Sequence, residues 1–138
     1  MVKTNVWQKL LPSVLNAIFV GLITLSVWFL NFELGRIKVT IISAFFLCTI
    51  LFIFFKNGRD PGMIIFKTYW KRNYHFWQRL IYSVLYTASF STLFFSFWFN
   101  FDLLLFNLLL VQLPCVLISG TTFHGWISGG METVTNNN

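Results

Sequence analysis

Residues 80–119 read LIYSVLYTASFSTLFFSFWFNFDLLLFNLLLVQLPCVLIS, 40 residues with a single charge at Asp102. One bilayer-spanning helix takes roughly 17–25 apolar residues, so this run is too long for a single span. Asp102, with Asn100 beside it, marks the point where the chain turns back. The stretch therefore divides into two helices, 80–99 and 103–119, joined by a tight turn. Two further uncharged apolar runs lie upstream, at 10–30 and 39–55. The whole reads as one all-α domain, a polytopic helical membrane protein with four transmembrane helices. Composition agrees: 57% of the 138 residues are hydrophobic and 10% are charged, against about 45–50% and 25% in soluble domains. Such a chain lacks the polar surface to cover a soluble globule, and intrinsic disorder is excluded by the same figures. Cys48 and Cys115 sit inside apolar runs, where a reduced thiol is the default and a disulfide scaffold is not expected.

The first run has Lys3 and Lys9 on its amino side, as a signal peptide would. A signal core is about 7–15 residues long and ends at a small-x-small site. Here the run is longer and continues into Asn31-Phe32-Glu33-Leu34, so it is expected to be a retained span. Charge then sets the orientation. With the amino end inside, the inner segments hold Lys3, Lys9, Lys56, Arg59, Lys67, Lys71, Arg72 and Arg79, while the outer ones hold Arg36 and Lys38. Eight against two places both termini in the cytoplasm by the positive-inside rule.

Polar residues within the spans carry the next expectation. Tyr82, Tyr86, Ser89 and Ser96 fall along one helical face, with Asn16 on the first span and Asn107 and Gln112 on the fourth. They serve either as interhelical hydrogen-bonding glue or as a polar path for an ion or small solute. No span interior contains Asp, Glu, His, Lys or Arg, which weighs against proton coupling. Pro114 is expected to kink the fourth helix.

The loop 56–79, KNGRDPGMIIFKTYWKRNYHFWQR, holds six basic residues and Asp60, a net of +5. It opens on a turn cluster, 57–62, and 63–70 fits a short strand or an amphipathic helix. Lys67, Lys71, Arg72, Trp70 and Trp77 are expected to contact anionic lipid headgroups. Nucleic acid is not expected as a partner, because topology already demands this charge. After the last span, four glycines in eleven residues make the Gly125–Gly129 spacing uninformative. His124, without a nearby Cys or carboxylate, reads as an interfacial polar residue, and residues from Thr135 onward are expected to fray. Nucleophile, phosphate-loop and zinc-ligand patterns are absent from the sequence, so no catalytic residue, metal or cofactor is expected.

Three segments together resemble the RDD family of small bacterial membrane proteins, named for an Arg and two Asp. Lys9 and Asn16 have the seven-residue spacing of the family's first Arg and Asp. Gly58-Arg59-Asp60-Pro61-Gly62 followed by Met63-Ile64-Ile65-Phe66-Lys67 is similar to its central glycine loop. Phe123-His124-Gly125 through Gly129-Gly130 is similar to its closing Leu-His-Asp motif. The eponymous residues are replaced by Lys9, Asn16 and Gly125. The resemblance implies a multi-pass protein of the bacterial cytoplasmic membrane. A few members have been proposed as sodium/proton antiporters, and this chain lacks both of the family's acids.

The expected function is that of a non-enzymatic accessory or interaction subunit, or a small protective, immunity-type membrane protein. Its expected partners are the bilayer, further copies of itself or other membrane subunits. The alternative is a small cation, proton or solute transporter acting as an oligomer.

Overall fold

A computed structural model describes residues 2–30, 32–54, 58–95 and 102–135. The chain is mostly helical. Helix α1 (Val6–Ile23) starts at Asn5, whose side chain accepts from the Gln8 amide while Gln8 answers to the Asn5 amide, at 2.8 and 3.0 Å. This reciprocal cap satisfies two donors that the first turn leaves free. The first apolar run was expected to be one span over 10–30. Instead α1 ends at Thr24, whose hydroxyl bonds back to the Val20 carbonyl at 2.8 Å, and a short α2 (Leu25–Trp28) follows.

Helix α3 (Leu34–Phe54) starts five residues before the expected 39, taking Arg36 and Lys38 into its first turns. Arg36 is exposed, and the Lys38 ammonium lies 6.0 Å from the Phe95 ring centre. Helices α1 and α3 are long and apolar enough to cross a membrane. They rise about 27 and 32 Å, against a hydrocarbon core of roughly 30 Å.

The loop is more structured than its composition indicated. Asp60 caps α4 (Pro61–Ile65) by accepting from the Met63 amide at 2.7 Å, with Pro61 in the first-turn position it favours. Lys67, at a φ of 51°, breaks the chain out of α4 into β2 (Thr68–Trp70). A strand and a helix thus share the 63–70 segment. Helix α5 (Phe76–Ser91) begins inside the expected loop and passes into a 3-10 turn, Thr92–Phe94. Ser96 and the expected turn at 100–101 lie outside the described residues.

The last apolar segment is helical from Leu103 to Ser119, with α6 (Leu103–Phe106) and α7 (Leu113–Ser119) joined by a π-helical stretch, Asn107–Gln112. Gly120, at a φ of 73°, ends it, and α8 (Phe123–Ile127) follows.

The all-α expectation needs one correction. A small antiparallel sheet, ordered β1–β3–β2, joins β1 (Val2–Lys3) and β2 to either side of β3 (Thr133–Thr135). Thr135, expected to fray, pairs with both Val2 and Thr68. Strands of two or three residues carry too little alternation to be read from sequence. Between the helices, Val20, Ile37, Ile41, Phe45 and Tyr86 form the apolar core. Phe45 stacks on Phe90 at 3.9 Å and meets Tyr86 edge-on at 5.2 Å.

Candidate functional site

Helix α4 is seated directly on α1. Gly62 leaves no room for a side chain, because an added Cβ would overlap the Pro12 carbonyl. That approach brings the Gly62 amide to Asn16, whose Oδ1 accepts from it at 2.8 Å. Asn16 Nδ2 donates to the Tyr86 hydroxyl at 3.1 Å, so one buried amide ties α1, α4 and α5 together.

On the other side of Tyr86 sits His124. Its ring centre is 5.1 Å from that of Tyr86 and 4.7 Å from that of Tyr82. Thr122 caps the short helix that carries it. Gly125 is forced by close approach, since a Cβ there would meet the Thr121 hydroxyl and the Met131 carbonyl. His124 is 5% exposed, and its Nδ1 is buried without a hydrogen-bond partner. Burial holds its pKa down, from 6.5 to about 3, so the ring is neutral.

Between these elements lies a cavity of about 40 Å³, lined by Asp60, Tyr82, Tyr86, His124, Trp70 and Ser13 among others. It has room for about three water-sized species. A second space of about 20 Å³ shares Asp60, Trp70, Tyr82 and Tyr86 and reaches Arg79. Asp60 is pushed up from the usual carboxylate range by burial, partly offset by the Met63 amide, Asn16 and the Arg59 charge. Arg59 itself donates to the Thr68 and Met63 carbonyls and stands 4.0 Å over the Tyr69 ring. Among the described residues no ion pair to Asp60 forms. The sequence hid this group from the spans: it belongs to the loop but folds back against them.

The expected polar face divides into two. Tyr82 and Tyr86 join Asn16 and His124 at the cavity. Ser89 joins Asn107 and Gln112: Asn107 donates to the Ser89 hydroxyl at 2.6 Å, and Gln112 donates to Ser89 at 3.3 Å and to Asn107 at 3.4 Å. Gln112 also accepts from the Phe123 amide at 3.1 Å, tying α8 to the preceding helix. These groups satisfy one another.

The expected headgroup contacts also divide. Lys67, Lys71, Arg72 and Trp77 are exposed. Trp70 is turned inward instead: its indole donates to the Gly58 carbonyl at 2.8 Å and its ring meets Tyr82 edge-on at 5.2 Å. Lys71 pairs with Glu132 at 2.6 Å and Lys3 pairs with it at 3.0 Å, which pulls the Glu132 carboxyl below its usual range. Arg72 stands 5.1 Å from the Tyr74 ring centre. Lys9 donates to the Thr4 carbonyl at 2.9 Å and the Thr4 hydroxyl at 2.6 Å.

Lys9, Asn16, Gly58, Gly62, His124 and Gly125, far apart in sequence, thus all contribute to the packed layer around the cavity. Among the described residues no three His, Cys, Asp or Glu side chains gather as metal ligands. Compared with known protein families, curated proteins and solved structures, the chain shows no match.

Proposed function

We propose that the chain is a four-span membrane protein with both termini in the cytoplasm, a divergent relative of the RDD family, acting without catalysis as an accessory or interaction subunit. The observation that carries this reading is the reversed distribution of side chains. Ile118 is 87% exposed and Phe29 81%, whereas Asn16, Asn107 and Gln112 are buried. Apolar surface on that scale is stable when lipid or other helices cover it, and the buried polar groups are the hydrogen-bonding glue between helices. The sheet supports the orientation, because it draws residues next to both chain ends and the basic loop to one side.

Two experiments test it. Leu34→Cys, in a background without Cys48 and Cys115, is expected to react with an impermeant thiol reagent from outside the cell, and Lys67→Cys is not; the reverse pattern rejects the orientation. Extraction in mild detergent is expected to recover an oligomer or a complex, and a clean monomer counts against an interaction subunit.

A second reading, transport of a small cation or proton by an oligomer, is favoured by one observation: Asp60 and His124 line the same small cavity. Reconstituted vesicles decide it. Cation-dependent proton flux that disappears in Asn16→Ala promotes this reading, and its absence leaves the interaction subunit alone.

A further inference from the structure

The two short helices α4 and α8 share one design. In each, the residue before the helix accepts from the amide three positions on, Asp60 from Met63 and Thr122 from Gly125. The second and third helical residues are buried, Gly62 and Met63 in one and His124 and Gly125 in the other. The two that follow are apolar and exposed, Ile64 and Ile65 in α4 and Trp126 and Ile127 in α8. Ile65 is 63% exposed and Trp126 58%. Each helix then leads back to the small sheet, α4 through Lys67 into β2 and α8 into β3.

The sheet lies near the starts of α1 and α5, and the paired charges of Lys3, Lys71 and Glu132 mark its aqueous side. From there both short helices reach along the long ones. Gly62 meets Pro12 and Asn16, six and ten residues beyond Val6. The His124 ring lies against Tyr82 and Tyr86, six and ten residues beyond Phe76. At 1.5 Å per residue these contacts stand about 9 and 15 Å from the starts of α1 and α5, within the depth of a hydrocarbon core of roughly 30 Å. Backbone at such depth needs its N–H groups answered by protein, because lipid cannot answer them. A buried amide side chain from a neighbouring apolar helix does so in the first turn of each: Asn16 accepts from Gly62, and Gln112 accepts from Phe123. On a surface facing water, solvent would serve both.

We propose that α4 and α8 are re-entrant elements embedded in the cytoplasmic leaflet, with Ile64, Ile65, Trp126 and Ile127 packed against lipid acyl chains and Lys67 and Arg72 at the level of the phosphates. This placement rests on the membrane reading above and deepens it: the basic loop and the carboxyl end dip into the bilayer instead of lying on it. Acyl chains are the occupant because the exposed pairs continue the apolar surface of α1, whose Leu11 and Val14 are exposed on the turns that α4 rests on. Lys67 and Arg72 are exposed as well, and neither forms an ion pair among the described residues. Their charges are thus free for anionic headgroups.

The test measures depth on the full-length chain in vesicles of phosphatidylcholine and phosphatidylglycerol. Ile65→Cys, Ile127→Cys, Ile18→Cys and Arg72→Cys are made singly in a background without Cys48 and Cys115, and each carries a nitroxide. All four positions are exposed. Oxygen concentrates in lipid and a nickel chelate stays in water, so their collision rates with the label report its depth. Labels at 65 and 127 are expected to favour oxygen, as the label at 18 on the middle of α1 does, while the label at 72 favours nickel. If 65 and 127 favour nickel while 18 favours oxygen, the re-entrant placement is overturned and the membrane reading stands. Nickel at 18 as well overturns both. Labels at 65 and 127 that are shielded from both reagents indicate a covering protein and overturn the lipid contact. Should a labelled variant fail to fold, the natural Trp126 decides. The fluorescence that Trp126→Phe removes is expected to be quenched by lipid brominated on its acyl chains, and quenching by aqueous iodide instead overturns the placement.

Discussion

Lowering the pH from 7 to 5 is expected to weaken this protein through one side chain, His124. The ring is 5% exposed and packed between Tyr82, Tyr86 and the polypeptide of α8. Burial depresses its pKa from 6.5 to about 3. A depressed value means that the unfolded chain binds the proton first. The stabilisation is therefore full above 6.5 and is lost progressively as the pH falls from there towards 3. At pH 5 the unfolded imidazole is almost wholly charged while the folded one is still neutral. Integrating between pH 7 and 5 gives a loss of about 2 kcal/mol. Over that interval the figure is governed by the unfolded value, because the folded ring stays neutral throughout. Asp60, whose carboxyl burial pushes up, and Glu132, whose carboxyl the two lysines pull down, contribute with opposite signs, so the comparison must be differential. Denaturation in mixed micelles, followed by tryptophan fluorescence at both pH values, is run on the natural chain and on His124→Phe. The natural chain should lose about 2 kcal/mol more than the variant. Equal losses in the two would refute a neutral, buried His124.

Gly62→Ala drives a methyl group into the Pro12 carbonyl, backbone that cannot swing aside, and should cost about 2 kcal/mol or more, whereas Gly35→Ala, with open space around it, should change stability by about 0.5 kcal/mol or less. Asn16→Ala strands the buried Gly62 amide and removes the donor to Tyr86, an expected loss of about 2–3 kcal/mol in the same denaturation assay. Glu132→Gln removes the bridge between Lys3 and Lys71 and should cost about 1 kcal/mol at pH 7, less in high salt. Because that carboxyl is held below 4.5 in the folded chain, the difference should vanish as the pH falls through its folded value.

The helices were legible because long apolar runs announce themselves by length and lack of charge. Val6–Ile23 and Leu34–Phe54 follow from that signal, though their ends do not: Thr24 stops the first by bonding to Val20, and the second takes Arg36 and Lys38 into its first turns. The cavity was less legible. Asn16, Tyr82 and Tyr86 stood out as polar residues in apolar runs, but Asp60 read as a turn residue. The Asp60-Pro61 pair carries a helix-start signal, an N-cap followed by proline, which would have given α4. Nothing local tells that α4 lies on α1, since that depends on the bare Gly62 meeting Pro12 across 50 residues of chain. His124 had no partner in its own neighbourhood, and the rings that cover it, Tyr82 and Tyr86, come from α5. Trp70 shared its composition with true interfacial residues, and the Gly58 carbonyl that draws it inward is visible once the loop has folded.

The order of strands in the small sheet carries a consequence for biogenesis. The middle strand, Thr133–Thr135, is the last of the three to leave the ribosome, and the outer two have no contact with each other until it arrives. Each helix is thus made before the layer that fastens the two ends and the basic loop can close. Met131 and Thr133, which line the cavity, arrive in the same closing step. A nascent chain halted short of residue 133 would carry its long apolar helices and an open chamber, so the final strand acts as the clasp that completes both.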